Sequence, residues 1–378
     1  MKLHKATRGQ LKWHNRQLIL RAVYDGIADN RAAIAQETGL AKPTVSELVA
    51  ELIQDGLLVE SGLGESTDSG GKRPTLVKFV PNARQVIGVS ITSEQIFGIL
   101  SNLNGDISAR HYAHLNGAQG DHVLTTLHHV INGLVAQLDA PLLCIGVGVV
   151  GVVNSTDGIV KTSPTLGWEN LTLAQHLRQR YQKPVYVGNN TELTALAEFA
   201  FSRHEGDDWR NLVVLLVNDG VEIGVALENA SYHHGADIGT LVYGSQTLQD
   251  ILGWQAILRR CEALRKTYPD SRLPTESLTY LHLRHAAHHD DALAQHLLAE
   301  LIADVAHVVT WAIGLLQPSQ LTLAGNIVDL GEAFLGQVVQ RVKTAPLAHT
   351  VSFAVARASN LSALGAVALA IQKELDVI

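Results

Sequence analysis

The sequence predicts an α/β protein in which a small three-helix unit, closed by a β-hairpin, precedes two larger α/β lobes. Three observations lead there. In residues 1–84 apolar side chains recur at helical spacing in three short segments, then alternate along two strands separated by a stretch rich in Gly, Ser and Asp. From residue 86 onward, apolar strand-like runs alternate with amphipathic helical ones and the alternation repeats, as it does in α/β folds. Charge divides at the same point: residues 1–84 hold 12 Lys and Arg against 9 Asp and Glu, and the remainder holds 17 against 27. The two parts therefore face different partners.

The first element is a helix over Trp13–Ile27, with Leu18, Ile19, Ala22 and Val23 on one stripe. A second covers Arg31–Thr38 with Ile34 and Ala35 inward, and Gly39 breaks it. The third, Lys42–Gln54, turns Val45, Leu48, Val49, Leu52 and Ile53 to the core, and Pro43 sits where a first-turn proline is tolerated. Small Ala35, then Gly39, then Val45 lets the second and third helices cross closely. Gly56–Val59 starts a strand, Ser61–Gly71 forms a loop and Pro74–Val80 returns as a second strand, a hairpin wing.

This is the pattern of a winged helix-turn-helix. Its third helix presents Lys42, Thr44, Ser46 and Glu47 near the end that enters a DNA major groove, and Lys72 and Arg73 reach phosphates or a minor groove from the wing. Lys2, Lys5, Arg8, Lys12, Arg16 and Arg21 stand in the first 24 residues with no acidic residue among them, a distribution that attracts phosphate. A three-helix protein-interaction module with a merely solvated polar face is the alternative.

In the remainder, Val86–Thr92 and Gln95–Leu103 are two strands, and Asn104-Gly105 turns the chain into a third that runs through Leu115. A helix (Val123–Leu138), a buried strand (Leu142–Val149), a helix (Thr172–Tyr181) and a strand (Val185–Val187) come next. Then come a helix (Glu192–Ser202), strands at Leu212–Val217 and Glu222–Glu228, a long helix (Ala292–Leu316) and a strand (Gln320–Ala324). With 378 residues, 46% of them hydrophobic and 17% charged, the chain exceeds one ordinary domain and can bury real cores. Two distant cysteines, Cys144 and Cys261, exclude a disulfide framework and a cysteine-rich metal site. The ends carry neither a bilayer-length apolar run nor a cleavable leader, so a cytoplasmic protein with no membrane partner is expected.

Several segments together resemble the ROK family, named for repressors, open reading frames and kinases. They are Ala35–Leu52, Gly70–Pro74, Ile145–Asn154, Leu166-Gly167-Trp168, Pro184–Asn190 and Ala195–Glu198, in the family's order and spacing. The resemblance covers essentially the whole chain. It implies a winged helix-turn-helix in residues 1–82, followed by a two-lobed actin-like (ribonuclease-H-like) sugar-kinase fold. The first lobe would be 83–189 plus 365–378 and the second 190–364, with a sugar cleft between them.

The kinase chemistry of that family is not expected here. A sugar kinase needs glycine-rich turns whose N–H groups approach phosphate, and a carboxylate to deprotonate the attacking hydroxyl. Where the family's first phosphate turn reads Asp-x-Gly-Gly-Thr-Lys, this chain has Ser90-Ile91-Thr92-Ser93-Glu94-Gln95; where the second reads Gly-Thr-Gly-x-Gly-Gly-Gly, it has Asn218–Gly224. Asp219 and Glu222 would repel phosphate. Asn190 replaces the family's catalytic Asp, and an amide cannot serve as the base. No catalytic residue and no cofactor are assigned. Thr240 stands at the position of the family's zinc-binding His, and Tyr243–Asp250 lacks the cysteine cluster, so no zinc is expected. His282, His285, His288 and His289 with Asp290 and Asp291 have helical spacing that could hold a metal, but the neighbouring Ala and Leu residues make them a solvated helix face.

Positions matching the family's sugar contacts are Gly151, Val152, Asn189, Asn190, Asp237 in place of Glu, Thr240, and Gln249 in place of a second Glu. Most can still hydrogen-bond a hydroxyl, which makes retained sugar binding the expectation over an empty relic. The resemblance then implies a homodimer or homotetramer that binds double-stranded operator DNA and regulates carbohydrate genes under a sugar effector. Repression is the family's commoner mode. An active sugar kinase with an accessory DNA-binding domain, and a constitutive DNA-binding protein that uses the ROK domain only to oligomerise, are the competing readings.

Overall fold

A computed structural model of the chain describes residues 7–64, 73–201, 211–218, 220–227, 233–344, 350–356 and 361–377. Contacts group the chain into two compact units: residues 1–147, 154–187 and 366–378, and residues 148–153 and 188–365.

The first unit opens with helix α1 (Arg8–Tyr24), which begins ahead of the predicted Trp13 because of a reciprocal cap. The Gln10 N–H donates to Thr7 Oγ1 and the Thr7 N–H donates to Gln10 Oε1. Helix α2 (Arg31–Thr38) is capped by Asn30 and stopped by Gly39 at φ 67°; helix α3 (Lys42–Gln54) is next, with a proline in its first turn. Strands β1 (Leu58–Leu63) and β2 (Thr75–Phe79) pair antiparallel as the wing, with a bulge between Glu60 and Gly62. The joint between the wing and the next strand is short: a 3-10 turn at Pro81–Ala83 and then Arg84, whose Nη2 donates to the Asp55 carbonyl at 2.9 Å.

Strands β3 (Gln85–Ile91), β4 (Gln95–Asn102) and β5 (Ile107–His114) form the expected meander. Helix α4 (Asp121–Val135) packs on β4 and β5, with Gly98 giving room for Val130 and Leu134. Strand β6 (Leu142–Val149) leads to a small three-stranded sheet that periodicity did not reveal: β7 (Val152–Asn154), β8 (Ile159–Ser163) and β9 (Trp168–Leu171). These strands are too short for alternation to register. Helix α5 (Leu173–Tyr181) and strand β10 (Val185–Asn189) complete the sheet order β10-β6-β3-β4-β5.

The second unit begins with helix α6 (Asn190–Phe201), strands β11 (Asn211–Val217), β12 (Val221–Leu227) and β13 (His233–Asp237), and a small hairpin of β14 (Val242–Tyr243) and β15 (Gln246–Thr247). Helices α7 (Leu248–Leu252), α8 (Trp254–Leu264), α9 (Tyr280–His288) and α10 (Ala292–Leu316) come after it, then strand β16 (Gln320–Ala324), helix α11 (Glu332–Val342) and strand β17 (Ser352–Val355). The sheet order is β13-β12-β11-β16-β17; β11, β16 and β17 run parallel, and β12 and β13 antiparallel. Helix α10 fills the core on one face with Leu293, Leu297, Leu301, Val305, Val309 and Ile313, while α6 covers the other face through Ala195 and Ala197. Its length and hydropathy would also suit a membrane span, but half of it is buried in this core.

Helix α12 (Leu361–Leu375) returns to the first unit and lies on β6. A Cβ at Gly146 would come within 1.9 Å of the Ala366 carbonyl oxygen, so glycine is what lets the helix backbone approach.

Candidate functional site

The first candidate surface is the exposed side of α3. Val45, Leu48, Val49 and Leu52 are buried, which leaves Lys42, Ser46 and Glu47 exposed and Thr44 half-buried beside them. Helical geometry puts Lys42 with Ser46 on one side of the helix N-terminal half and Thr44 with Glu47 on another. Arg73 is exposed at the returning arm of the wing; Lys72, Gly70 and Gly71 lie outside the described residues. The basic N-terminal segment is a different matter. Lys12 Nζ lies 2.6 Å from Glu51 Oε1, Arg16 pairs with Asp55, and Arg21 Nε lies 3.6 Å from Asp25. Lys12 and Arg16 brace α1 against α3, while Arg21 pairs within its own helix end; Lys2, Lys5 and the Arg8 side chain lie outside the described residues. Periodicity could not foresee the bracing, because the partners of Lys12 and Arg16 stand 39 positions away.

The second candidate site gathers in the second unit, in two neighbouring groups. In one, Asn189 is committed at both ends of its amide. Its Nδ2 donates to the Gly151 carbonyl at 2.8 Å, and its Oδ1 accepts the N–H groups of Thr191 (2.8 Å) and Glu192 (3.4 Å), capping α6. It therefore positions the turn at Gly151 (φ 120°) and sets Asn190 at the first residue of the helix. Asn190 is half-buried, and its Oδ1 occupies space that a Cβ on Gly148 would enter, at 2.3 Å. Val152 is 59% exposed. Thr191 was not singled out by the sequence; it is fully buried and its Oγ1 has no hydrogen-bond partner.

In the other group, Asp237 Oδ1 accepts the Gly239 N–H at 2.8 Å and the Gln249 N–H donates to the Gly239 carbonyl at 2.8 Å. A Cβ on Gly239 would meet Gln249 Oε1 at 2.8 Å and Asp237 Oδ1 at 2.9 Å, so both side chains converge there. Glu222 faces Asp237 across the β12–β13 pair. Burial, and then the Asp237 carboxylate, push the Glu222 carboxyl up to about 7. Thr240 is exposed. The two groups meet where α6 packs on β12: a Cβ at Gly224 would lie 2.7 Å from the Thr191 carbonyl oxygen.

The two altered turns are filled by side chains. In the first unit, Thr92 Oγ1 accepts the N–H groups of Glu94 (3.3 Å) and Gln95 (3.2 Å). In the second, Asn218 Oδ1 accepts the Asn326 N–H at 2.7 Å and lies 2.6 Å from where a Gly325 Cβ would be. In the first turn, backbone donors of the kind that cradle a phosphate are thus taken by a side chain, and beside the second turn the Asn326 donor is. Asp219 lies outside the described residues. Among the described residues no group of three or more His, Cys, Asp or Glu is placed to hold a metal ion. Of the histidines on and after α9, His282 bonds the Thr279 hydroxyl, and the His285 and His289 rings lie 4.5 Å apart.

Residues 86–241 match the ROK family and residues 28–62 match the IclR helix-turn-helix domain. The chain is 32% identical over 230 residues to the xylose repressor of Caldicellulosiruptor bescii, across 60% of this chain and 57% of that protein; it thus spans little more than half the length of this relative. To the DNA-binding transcriptional dual regulator NagC of Escherichia coli it is 25% identical over 365 residues, across 90% of this chain and 88% of the other. A crystal structure described as a ROK family transcriptional regulator, homolog of the E. coli MLC protein, matches 97% of each chain with a TM-score of 0.82 at 21% identity. The fold beyond the wing is that of the family's sugar kinases. These matches give the chain a ROK family domain over residues 86–241 and an IclR-type helix-turn-helix region ahead of it, and the fold is that of the solved ROK structures.

Proposed function

We propose that this chain is a cytoplasmic, sugar-responsive DNA-binding regulator, a repressor of carbohydrate-metabolism genes, whose ROK domain binds its effector without phosphorylating it. The observation that carries the reading is a set of polar residues around the outer part of α3, Lys42, Ser46 and Glu47 exposed and Thr44 half-buried, attached to a sugar-kinase fold whose altered phosphate turns hold Thr92 and Asn218 bonded to backbone N–H groups. Its named relatives, a xylose repressor and NagC, support the same role. Residues 1–82 form the DNA-binding part, 83–189 with 365–378 one lobe and 190–364 the other.

The kinase reading is disfavoured by Asn190, which offers an amide where proton transfer needs a carboxylate. Asp237, Gln249, Asn190 and Thr240 are the groups that would meet sugar hydroxyls, with Gly151 and Val152 shaping the turn beside them and Asn189 holding that turn in place. The family's zinc ligands have no counterpart at Thr240 and Tyr243–Asp250. A helix-turn-helix reads a palindromic operator as a symmetric pair, which calls for two copies. One side of α10 supports that: Trp311 (40% exposed), Leu315 (82%) and Tyr243 of the adjoining hairpin (43%) form an uncovered apolar stripe beside Gly314.

The test is selection of bound fragments from a genomic DNA library by the purified protein, followed by titration of the recovered site with sugars. A recovered palindrome released by one sugar is the expected result. A protein that turns over ATP and sugar, or that recovers no sequence, would overturn the reading.

A further inference from the structure

Within the second unit, the candidate sugar site holds two facing carboxyl groups, Glu222 and Asp237, and several of its backbone donors are occupied. The α6 N-terminus gives the N–H groups of Thr191 and Glu192 to Asn189 Oδ1. Asn218 Oδ1 takes the Asn326 N–H, and Asp237 Oδ1 takes the Gly239 N–H. A phosphate group binds where such donors or cations are available. The described side chains that converge on Gly220 and Gly239 are Glu222, Asp237 and Gln249, none of them a cation. Glu222 instead sits opposite Asp237 on β12, and its Oε1 lies 3.8 Å from where a Gly220 Cβ would stand, with Gln249 Oε1 at 3.7 Å. The second phosphate turn of a kinase has thus been rebuilt around a carboxylate. These groups suit hydroxyls: carboxylate oxygens accept, an amide such as that of Gln249 carries both a donor and an acceptor, and Thr191 Oγ1 is buried without a partner.

From this arrangement we infer that the effector is an unphosphorylated sugar, neutral or amino-substituted, and that Glu222 is the residue that excludes sugar phosphates. The inference rests on the proposed sugar site and adds its ligand class. Above pH 7, where the raised Glu222 carboxyl is ionised, a phosphate carries roughly two negative charges and would meet that carboxylate beside Asp237.

The experiment is calorimetry and thermal shift on the full-length protein at pH 8, where Glu222 is ionised, with matched probes: D-glucose and its 6-phosphate, N-acetyl-D-glucosamine and its 6-phosphate, D-xylose and its 1-phosphate, and D-glucosamine. The expected result is binding of one free sugar with its phosphate at least tenfold weaker, and a smaller ratio in Glu222→Gln, which keeps shape and removes charge. Asp237→Asn is the second variant should Glu222→Gln fail to fold. A phosphate that binds as tightly as its free sugar, or better, overturns the inference and leaves the sugar site standing. An unchanged ratio in a folded Glu222→Gln protein removes Glu222 from the role. Binding of no probe, by a protein that still binds its DNA, overturns the sugar site and the inference together.

Discussion

At the scale of single residues, charge and space decide. The carboxyl of Glu222 is raised from its usual 4.5 to about 7 by burial and by Asp237, so the folded state favours its protonated form. The stability this contributes is fully present below pH 4.5 and is lost as pH rises through about 7. Thermal melts from pH 5 to 8 should therefore fall in the wild type by at most about 3 kcal/mol on this account, and Glu222→Gln should flatten that slope. A wild-type and variant profile that run parallel would remove the burial argument. On α3 and the wing, the outcomes should separate by what each side chain touches. Ser46→Ala and Glu47→Ala should change base preference at one operator position by about 1–3 kcal/mol, while Arg73→Ala should weaken all sequences alike with a shallower salt slope. Anisotropy titrations at several salt concentrations distinguish the two, and no effect from any of the three would remove the DNA-binding reading.

At the scale of elements, two ties make separate predictions. Asn189 caps α6 and holds the Gly151 turn, so Asn189→Ala should destabilise the protein by about 1–2 kcal/mol and weaken sugar binding without abolishing DNA binding. Denaturant unfolding reads the first effect and calorimetry the second; an unchanged midpoint would show the cap to be dispensable. Arg84 links the joint to the end of α3 through the Asp55 carbonyl, and Leu103 donates its N–H to the Pro81 carbonyl at 3.0 Å. If α3 is controlled through this joint, Arg84→Ala should leave DNA and sugar affinities close to wild type when each is measured alone, and reduce the factor by which one changes the other. Coupling of about 1–3 kcal/mol is the usual range, and it must be reciprocal.

At the scale of the whole molecule, the proposed repressor requires two copies in register with two half-sites. Leu315→Glu places a charge on the most exposed apolar residue of the α10 stripe, where burial against a second copy would be unfavourable. Light scattering should find the wild type dimeric or larger and the variant shifted to monomer, with operator affinity lost and the fold intact. A monomeric wild type that still binds its operator tightly would exclude this use of the stripe.

The sequence by itself determined the elements whose signals are local. α2, α3, β6, α10 and β16 stand at the predicted residues, because a periodic stripe, a Gly39 stop or a run such as Leu142–Val149 is written in adjacent positions. It also determined the resemblance of residues 86–241 to the ROK family and the alteration of both phosphate turns, since those are matters of which residue stands where. The tertiary structure alone decided what those residues do. It ties Lys12 and Arg16 to α3, makes Asn189 the cap of α6, and sets Glu222 against Asp237. The physical reason is that pairing, capping and pKa depend on neighbours brought together by folding from far along the chain, and no window of adjacent residues contains them.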